Sequence, residues 1–326
     1  MSLRLVAVAG LSLVVVAALT LGVVLLGPQS AERPVSVPLP ALDGTDYVAL
    51  GDSFSSGPLI PLMRNDASGC FRSTNNYPAY VADLLDVATY RDATCASAVT
   101  ADLRSSQAVL LGSSRPPPQL DALSQDTDLV TLGIGGNDFG LFGSIIGGCS
   151  RLTPWRSAGS PCRDSLVGAG GEDVKAGDAR RIQRPVTRAV REVREAAPHA
   201  EVLVVGYPQL MPDRGSCGAA GLTAGDAAWV SGIQTLLNRS LQRAAEAEGA
   251  TYVDLTAASR GHDVCARKEA WVNGRIDRIG VALGFHPFQR GMAGVARVVF
   301  EAVTGDVAPE VTGDAAPPPD AVVRSG

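Results

Sequence analysis

Residues 47–57, Tyr-Val-Ala-Leu-Gly-Asp-Ser-Phe-Ser-Ser-Gly, join a short apolar run to a serine that stands between two glycines. The apolar run predicts a buried strand that ends at Gly51. A serine just past a strand end can expose its hydroxyl at the rim of a sheet, where the N–H groups of a following helix start face the same space. An acyl-transfer nucleophile requires this arrangement, because the oxyanion must meet donors as soon as Ser53 attacks. The alternative is that Asp52 or Ser53 only caps a helix, since both residue types are preferred caps.

Strand-like apolar runs alternate with helical patterns through the middle of the chain. Strands are predicted at residues 47–50, 88–91, 129–134, 201–206 and 251–255. Helices are predicted at residues 76–85, 119–123, 179–197, 226–248 and 290–303. This alternation is typical of an α/β fold, a three-layer αβα sandwich around a central parallel sheet of about five strands. Sites in such sheets form at the carboxyl ends of the strands, where Ser53, Asn137 and Tyr207 are predicted to lie.

Composition limits the classes of function. The 326 residues include 28 basic and 33 acidic residues, for a net charge of −5, and no block of basic residues occurs. Nucleic-acid binding is therefore not indicated. The six cysteines include no C-x-x-C pair, so no zinc site is predicted. An even cysteine count in an exported chain favours disulfides, and pairing of nearest neighbours is the simplest of several arrangements that stay open.

The N-terminal segment predicts export from the cytoplasm. The apolar run from Leu5 to Leu26 has 22 residues. It exceeds the roughly 7–15 residues of a signal-peptide core and matches the about 20 residues of a membrane-spanning helix. No clean A-x-A cleavage site follows, so an uncleaved membrane anchor is favoured over a cleaved signal peptide, and the protein is predicted to be secreted or anchored outside the cytoplasm. The predicted divisions are residues 1–27 for this segment, 28–44 for a linker, 45–304 for the folded domain and 305–326 for a disordered tail.

A second glycine-rich stretch offers a side-chain amide. Residues 131–138 read Thr-Leu-Gly-Ile-Gly-Gly-Asn-Asp. A dinucleotide fingerprint would require a third glycine where Asp138 stands, so that interpretation fails. The glycines instead let the backbone turn tightly, and the Asn137 amide is a suitable oxyanion donor. The alternative is a polar turn that satisfies its own backbone.

Three histidines are candidates for a general base. His199 follows a proline at a helix end and is predicted to face solvent. His262 precedes Asp263 and is predicted to have a structural or rim position. His286 stands between Phe285 and a proline that restrict its orientation. Because a base must be positioned as well as titratable near neutrality, His286 is the best candidate.

Three ordered blocks now carry a resemblance. GDSFSSG, IGGND and a late FHP resemble the blocks of the GDSL or SGNH hydrolase family, over residues 46–303. The segments CFRS at 70–73, NYP at 76–78, GHDVC at 261–265 and WVNG at 271–274 resemble its secreted, three-disulfide lipase and esterase branch. The resemblance implies a flavodoxin-like αβα fold and ester hydrolysis without a cofactor. It also implies the disulfides Cys70–Cys95, Cys149–Cys162 and Cys217–Cys265.

Carried over by position, the resemblance implies that Ser53 is the nucleophile and His286 the general base. The oxyanion donors would be the backbone N–H groups of Ser53 and Ser97 and the side chain of Asn137. Ser97 stands where the family has a glycine, so the loop loses glycine's freedom of φ. Leu283 stands where the family often has an aspartate, and its backbone carbonyl is expected to orient the histidine instead.

The sequence thus predicts an exported serine esterase or lipase that acts on acyl esters, including lipids, through a Ser–His dyad and an acyl-enzyme. A polysaccharide O-acetyl esterase and a non-catalytic, hydrolase-like surface-binding domain stay open as alternatives. Membrane association is predicted through the N-terminal apolar segment. The long stretch 145–177 is either a lid or a stapled surface insertion. Apolar residues that either accept an acyl chain or belong to the core are Leu59, Ile60, Leu62, Phe139, Leu141 and Phe142.

Overall fold

The computed structural model describes residues 44–66, 69–109, 113–149, 158–168 and 170–311. The predicted N-terminal segment 1–27 and nearly all of the linker lie outside the described residues. In the ranges just given, no helix is both long and apolar enough to cross a membrane. The predicted tail is packed at its start, because Ala308 is buried and Val311 contacts the core. The packed chain therefore continues past the predicted boundary at Thr304.

Within the described ranges, five strands form one sheet. They are β1 (Asp46–Gly51), β2 (Thr89–Asp92), β3 (Leu129–Gly133), β4 (Glu201–Val205) and β5 (Thr251–Val253). Their order is β2-β1-β3-β4-β5, and every neighbouring pair is parallel. The central strands β1 and β3 are buried along almost their whole length, which explains their continuous apolar sequences. The predicted parallel α/β sheet is confirmed, with strand ends within two residues of those expected.

Helices cover both faces of the sheet. They are α1 (Ser53–Ser56), α2 (Tyr77–Leu84), α3 (Pro161–Ser165), α4 (Val174–Arg181), α5 (Gln183–Ala196), α6 (Ala224–Ala247) and α7 (Gln289–Thr304). Helices α4, α5 and α6 pack with Val48 and Leu50 of β1 in one core. Helices α2 and α7 pack with Tyr47 and Ala49 in the other. The alternation of β1 side chains between two cores establishes the three layers.

Two helix predictions need correction. The helix predicted at 179–197 is divided at Ile182 between α4 and α5. Pro185 lacks an N–H and is tolerated only in the first turn of a helix, so a new helix starts just before it. The helix predicted at 119–123 is a single tight turn, Gln119–Ala122.

Three disulfides join the loops around the sheet. The bonds are Cys70–Cys95, Cys149–Cys162 and Cys217–Cys265. The first holds the loop after α1 to the loop after β2, so it lies next to the nucleophile turn. The second closes the insertion, of which residues 150–157 and 169 lie outside the described ranges. The described part of the insertion contains the wide helical turn Gly143–Gly148, α3 and the start of α4.

Candidate active site

The turn between β1 and α1 directs Ser53 into a cavity while its neighbours hold the backbone. Gly51 has φ +155°, and an added Cβ there would lie 2.6 Å from the Gly133 carbonyl oxygen, so only glycine fits. Asp52 caps α1, because its Oδ1 accepts the Phe54 N–H at 2.9 Å. Asp52 therefore caps the helix while Ser53 lines the cavity, so the two roles coexist.

The structure brings Ser53 and His286 together from opposite ends of the domain. His286 Nε2 lies 2.8 Å from Ser53 Oγ, and His286 Nδ1 lies 2.7 Å from the Gly284 carbonyl oxygen. A carbonyl only accepts, so Nδ1 carries the proton and Nε2 is free to accept the Ser53 hydroxyl. Burial lowers the pKa of His286 to about 4, although the Gly284 hydrogen bond and the Asp277 charge oppose this shift. The ring is therefore neutral at pH 7 and able to take a proton.

The prediction that the Leu283 carbonyl orients His286 is wrong. That carbonyl oxygen accepts the backbone N–H of His286 at 3.2 Å and the Asn273 Nδ2–H at 3.2 Å. Phe285 has φ +59°, and this left-handed turn accompanies the placement of the Gly284 carbonyl, rather than that of Leu283, against the imidazole. The backbone carbonyl expected from the sequence is present, but one residue later.

A carboxylate lies behind this turn at a position that the sequence reasoning missed. Asp277 Oδ1 accepts the Gly284 N–H at 2.8 Å, and its negative charge raises the pKa of His286. Asp277 is in an exposed loop, and no local pattern links it to His286. It fixes the residue that orients the base and adds a favourable charge for the imidazolium.

Three candidate N–H donors belong to residues that line the cavity beside the Ser53 hydroxyl. Ser97 has φ +65°, so this serine adopts the left-handed conformation that a glycine would take without strain. Within the described ranges, neither the Ser53 nor the Ser97 backbone N–H has a hydrogen-bond acceptor. Asn137 Nδ2 donates to the Ala98 carbonyl oxygen at 3.1 Å, which leaves its second N–H free. All three residues line the cavity that holds His286.

A buried hydroxyl joins the two turns of the site, in what we call the tyrosine bridge, Asp52–Tyr207–Gly136. Tyr207 Oη donates to Asp52 Oδ2 at 2.6 Å and accepts the Gly136 N–H at 2.7 Å. Asn238 of α6 holds the Tyr207 backbone through both of its amide atoms, at 3.1 and 3.0 Å. Burial raises the pKa of Asp52 to about 7, and the Tyr207 hydrogen bond opposes that rise. The sequence placed Tyr207 at a strand end, but gave it no role.

The cavity beside Ser53 is apolar. Its volume is 480 Å³, within the usual range for a small-molecule site. Of the six apolar residues singled out in the sequence, Leu59 and Phe142 line it, Ile60 and Leu141 are buried in the core, and Leu62 and Phe139 are exposed. Its other apolar walls are Phe54, Pro58, Phe71, Ile146, Leu283 and Phe285.

Neither of the other two histidines lines the cavity. His262 stacks on Trp271 with ring centroids 5.0 Å apart, and its Nδ1 bonds the Glu269 carbonyl oxygen. His199 is exposed at the end of α5. Among the described residues, no cluster of His, Cys, Asp or Glu could hold a metal ion.

A serine–histidine contact at the carboxyl edge of a parallel sheet is typical of serine hydrolases with an α/β fold, and the sequence comparison narrows that class. The model of the GDSL-like lipase/acylhydrolase family matches residues 49–293, and the chain belongs to this family. Lipase 2 of Streptomyces coelicolor is 39% identical over 234 residues, which are 71% of this chain and 76% of that protein. The chain is a carboxylic ester hydrolase of the GDSL family.

Two solved structures share the fold. A phospholipase A1 from Streptomyces albidoflavus aligns with a TM-score of 0.65 and 29% identity, covering 80% of this chain and 99% of that one. An extracellular lipase from Streptomyces rimosus aligns with a TM-score of 0.66 and 26% identity, covering 79% of this chain and 100% of that one. The predicted lipase and esterase branch is thereby confirmed.

Proposed function

We propose that this protein is an exported serine esterase or lipase in which Ser53 is the nucleophile and His286 the general base. The observation that carries the proposal is the 2.8 Å contact between Ser53 Oγ and His286 Nε2 at the edge of an apolar cavity. A nucleophile and a neutral base within hydrogen-bond reach are the requirement for acyl transfer through a covalent intermediate.

The reaction proceeds in two halves. His286 Nε2 takes the Ser53 proton as Oγ bonds to the ester carbonyl carbon. The carbonyl oxygen becomes an oxyanion, which accepts hydrogen bonds from the N–H groups of Ser53, Ser97 and Asn137. The intermediate collapses, the bond between the former carbonyl carbon and the alcohol oxygen breaks, and His286 returns the proton to the departing alkoxide. Water then attacks the acyl-enzyme with His286 as base, which releases the acid and restores Ser53.

The base works without a carboxylate bonded directly to its ring. The Gly284 carbonyl fixes the tautomer and stabilises the imidazolium as a dipole, and Asp277 adds a full negative charge behind it. Leu283 and Ser97 motivated the non-catalytic alternative. At both positions the geometry supports catalysis, since Gly284 replaces the expected carbonyl and Ser97 adopts a positive φ.

The cavity supports a substrate with an acyl chain longer than acetyl. Its walls beyond the reactive groups are aromatic and aliphatic side chains, which favour burial of methylene groups over binding of a sugar. The named activities of the relatives, lipase and phospholipase A1, agree with this substrate class. Three disulfides and the extracellular Streptomyces rimosus lipase support a site of action outside the cytoplasm.

Hydrolysis of soluble p-nitrophenyl esters of graded chain length tests both the role of Ser53 as nucleophile and the preference for acyl chains longer than acetyl. Ser53→Ala should lose kcat by about 1000-fold or more, whereas Ser56→Ala is a matched control. Ser56 lies in the same short helix, and its buried hydroxyl has no hydrogen-bond partner in the described structure. Full activity of Ser53→Ala would disprove the nucleophile. A kcat/KM that is highest for acetyl esters would overturn the acyl-chain assignment and favour the O-acetyl esterase alternative.

A further inference from the structure

Four of the six exposed large apolar side chains in the described ranges lie on segments that also contribute to the wall of the active-site cavity. Leu62 is three residues after Leu59, and Phe139 is two after Asn137. Ile276 and Ile279 precede Leu283. The full set of such side chains in the described ranges is Leu62, Phe139, Val174, Ile276, Ile279 and Val307. Single exposed apolar residues are ordinary, but a group around a ligand site marks a binding surface.

The strongest part of this group is residues 275–280, Arg-Ile-Asp-Arg-Ile-Gly, which we call the arginine loop. All six residues are exposed. Ile276 is 65% exposed and Ile279 is 83% exposed. Ile279 is four positions and Ile276 seven positions before Leu283, which lines the cavity. Their exposure has no benefit for the folded chain in water, because burial of such side chains is favourable.

The arginine loop is held in place at its base. Asn273 Nδ2 donates to the carbonyl oxygens of Ile276 at 2.9 Å and Ala282 at 3.0 Å. The backbone N–H of Arg278 donates to the Ala282 carbonyl oxygen, and the N–H of Ala282 donates to the Arg278 carbonyl oxygen, both at 3.0 Å. The isoleucines are therefore presented by an organised turn, which reduces the entropy lost on binding.

The charges of the loop are available to a partner. Arg275 and Arg278 form no ion pair with any described residue, and the nearby Asp277 carboxylate accepts the Gly284 N–H. Arg267 is likewise unpaired, and it lines an open groove of 490 Å³ together with both loop arginines and Phe288. A chain with a net charge of −5 thus carries a local cationic surface where its isoleucines are exposed.

We propose that the arginine loop docks the enzyme onto an anionic lipid surface. Ile276 and Ile279 enter the boundary between headgroups and acyl chains, and Arg275 and Arg278 bind the headgroup phosphates. Aliphatic side chains flanked by arginines have the chemistry of interfacial binding, because guanidinium groups match phosphate and the apolar groups gain from burial. The inference rests on the proposed lipase function, and it identifies the part of the enzyme surface at which a lipid substrate would be bound.

The position of the loop links docking to catalysis. The same segment continues into Leu283 and Gly284, which line the cavity and hold His286. Asp277 of the loop accepts the Gly284 N–H at 2.8 Å, so the loop adjoins the cavity wall, and a lipid surface bound to the loop would bring its esters beside the cavity that holds Ser53. Docking here is separate from any contribution of residues 5–26.

A local fluorescence probe in the full chain tests the docking. Ile279→Trp should show a blue shift of its emission, as a difference from the wild type, on addition of vesicles of equal parts phosphatidylglycerol and phosphatidylcholine. Val307→Trp is the matched control, because Val307 is 85% exposed on the segment that follows α7. A shift in Val307→Trp as large as in Ile279→Trp, or no shift at Ile279→Trp, would overturn the proposal. An equal shift with phosphatidylcholine alone would overturn the role of the arginines.

Hydrolysis rates separate docking from chemistry. Ile276→Ser with Ile279→Ser should lower the rate on the mixed vesicles by about 10-fold or more. Arg275→Gln with Arg278→Gln should lower it by about fivefold for each arginine. Both variants should keep kcat/KM for soluble p-nitrophenyl butyrate within about two-fold, and Arg243→Gln on α6 should change neither rate. Equal losses on the soluble ester and on vesicles would contradict docking, whereas an inactive wild type on the soluble ester would contradict the proposed function instead.

Discussion

Replacement of Tyr207 by phenylalanine removes one hydroxyl from the tyrosine bridge and leaves the ring in place. Asp52 Oδ2 then loses its donor at 2.6 Å, and the Gly136 N–H loses its acceptor at 2.7 Å. Both sites are closed to water, because Asp52 is 0% exposed and Tyr207 1% exposed. Each of these two buried polar groups costs about 1–3 kcal/mol when it has no partner, so the free energy of unfolding should fall by about 2–6 kcal/mol.

The loss should depend on pH. Burial raises the pKa of Asp52 from 3.8 to about 7, so the folded state binds this proton more tightly than the unfolded state. The free energy of unfolding attributable to Asp52 is therefore highest below pH 3.8 and falls as pH rises to about 7. Without the Tyr207 hydroxyl the pKa rises further, and the decrease continues to higher pH. The destabilisation should be larger at pH 8 than at pH 5.

Catalysis should respond as well, because the bridge ties the Asp52–Ser53 turn to the Gly136–Asn137 turn. A looser Asn137 affects the oxyanion more than the bound ester, so kcat should fall by about 10–100-fold with a small change in KM. The measurements are urea unfolding at pH 5 and pH 8, and kcat and KM on a soluble ester. Tyr252→Phe is the control, since its buried hydroxyl has no partner among the described residues. If Tyr207→Phe matched this control in stability and in kcat, the bridge would have no role.

Removal of the Asn137 amide in Asn137→Ala should lower kcat by about 100–1000-fold with little change in KM, and an unchanged kcat on a soluble ester would exclude Asn137 from the oxyanion hole. Ser97→Gly keeps the backbone N–H and relieves a φ of +65° in a non-glycine residue. Its kcat should stay within about two-fold, and a tenfold loss would show that the hydroxyl itself contributes. Because burial lowers the pKa of His286 to about 4, the acid limb of kcat/KM should lie well below pH 6.5. Asp277→Asn removes a charge that raises this pKa, so the limb should move to still lower pH, and a limb near pH 6.5 in both proteins would contradict the lowered pKa of His286.

The strands and the nucleophile turn were predictable because their signals are local. The apolar run of β1, the glycine that ends it and the serine that follows are adjacent in the sequence, and each has one dominant structural preference. The division between α4 and α5 was missed, although Pro185 carries a local signal for a helix start.

The contacts that hold the active-site residues in place could not be predicted, because they depend on backbone orientation and on residues distant in the sequence. The carbonyl of Gly284 rather than that of Leu283 faces the His286 ring because the chain turns at Phe285. Phe285 has a positive φ, and an aromatic residue in the sequence does not predict that conformation. Asp277 reaches the same turn from an exposed loop, and Tyr207 joins two turns that lie 155 and 71 residues away in the chain. Such contacts exist only in the folded protein and leave no local pattern in the sequence.

The central claim is that Ser53 is the nucleophile and that His286 activates it. Mass-spectrometric mapping of the adduct left by an alkyl phosphonate ester tests this claim most directly. We expect one adduct for each chain, on the peptide that contains Ser53, and labelling of His286→Ala slower by about 100-fold or more. An adduct on another residue, or labelling of His286→Ala at the wild-type rate, would contradict it.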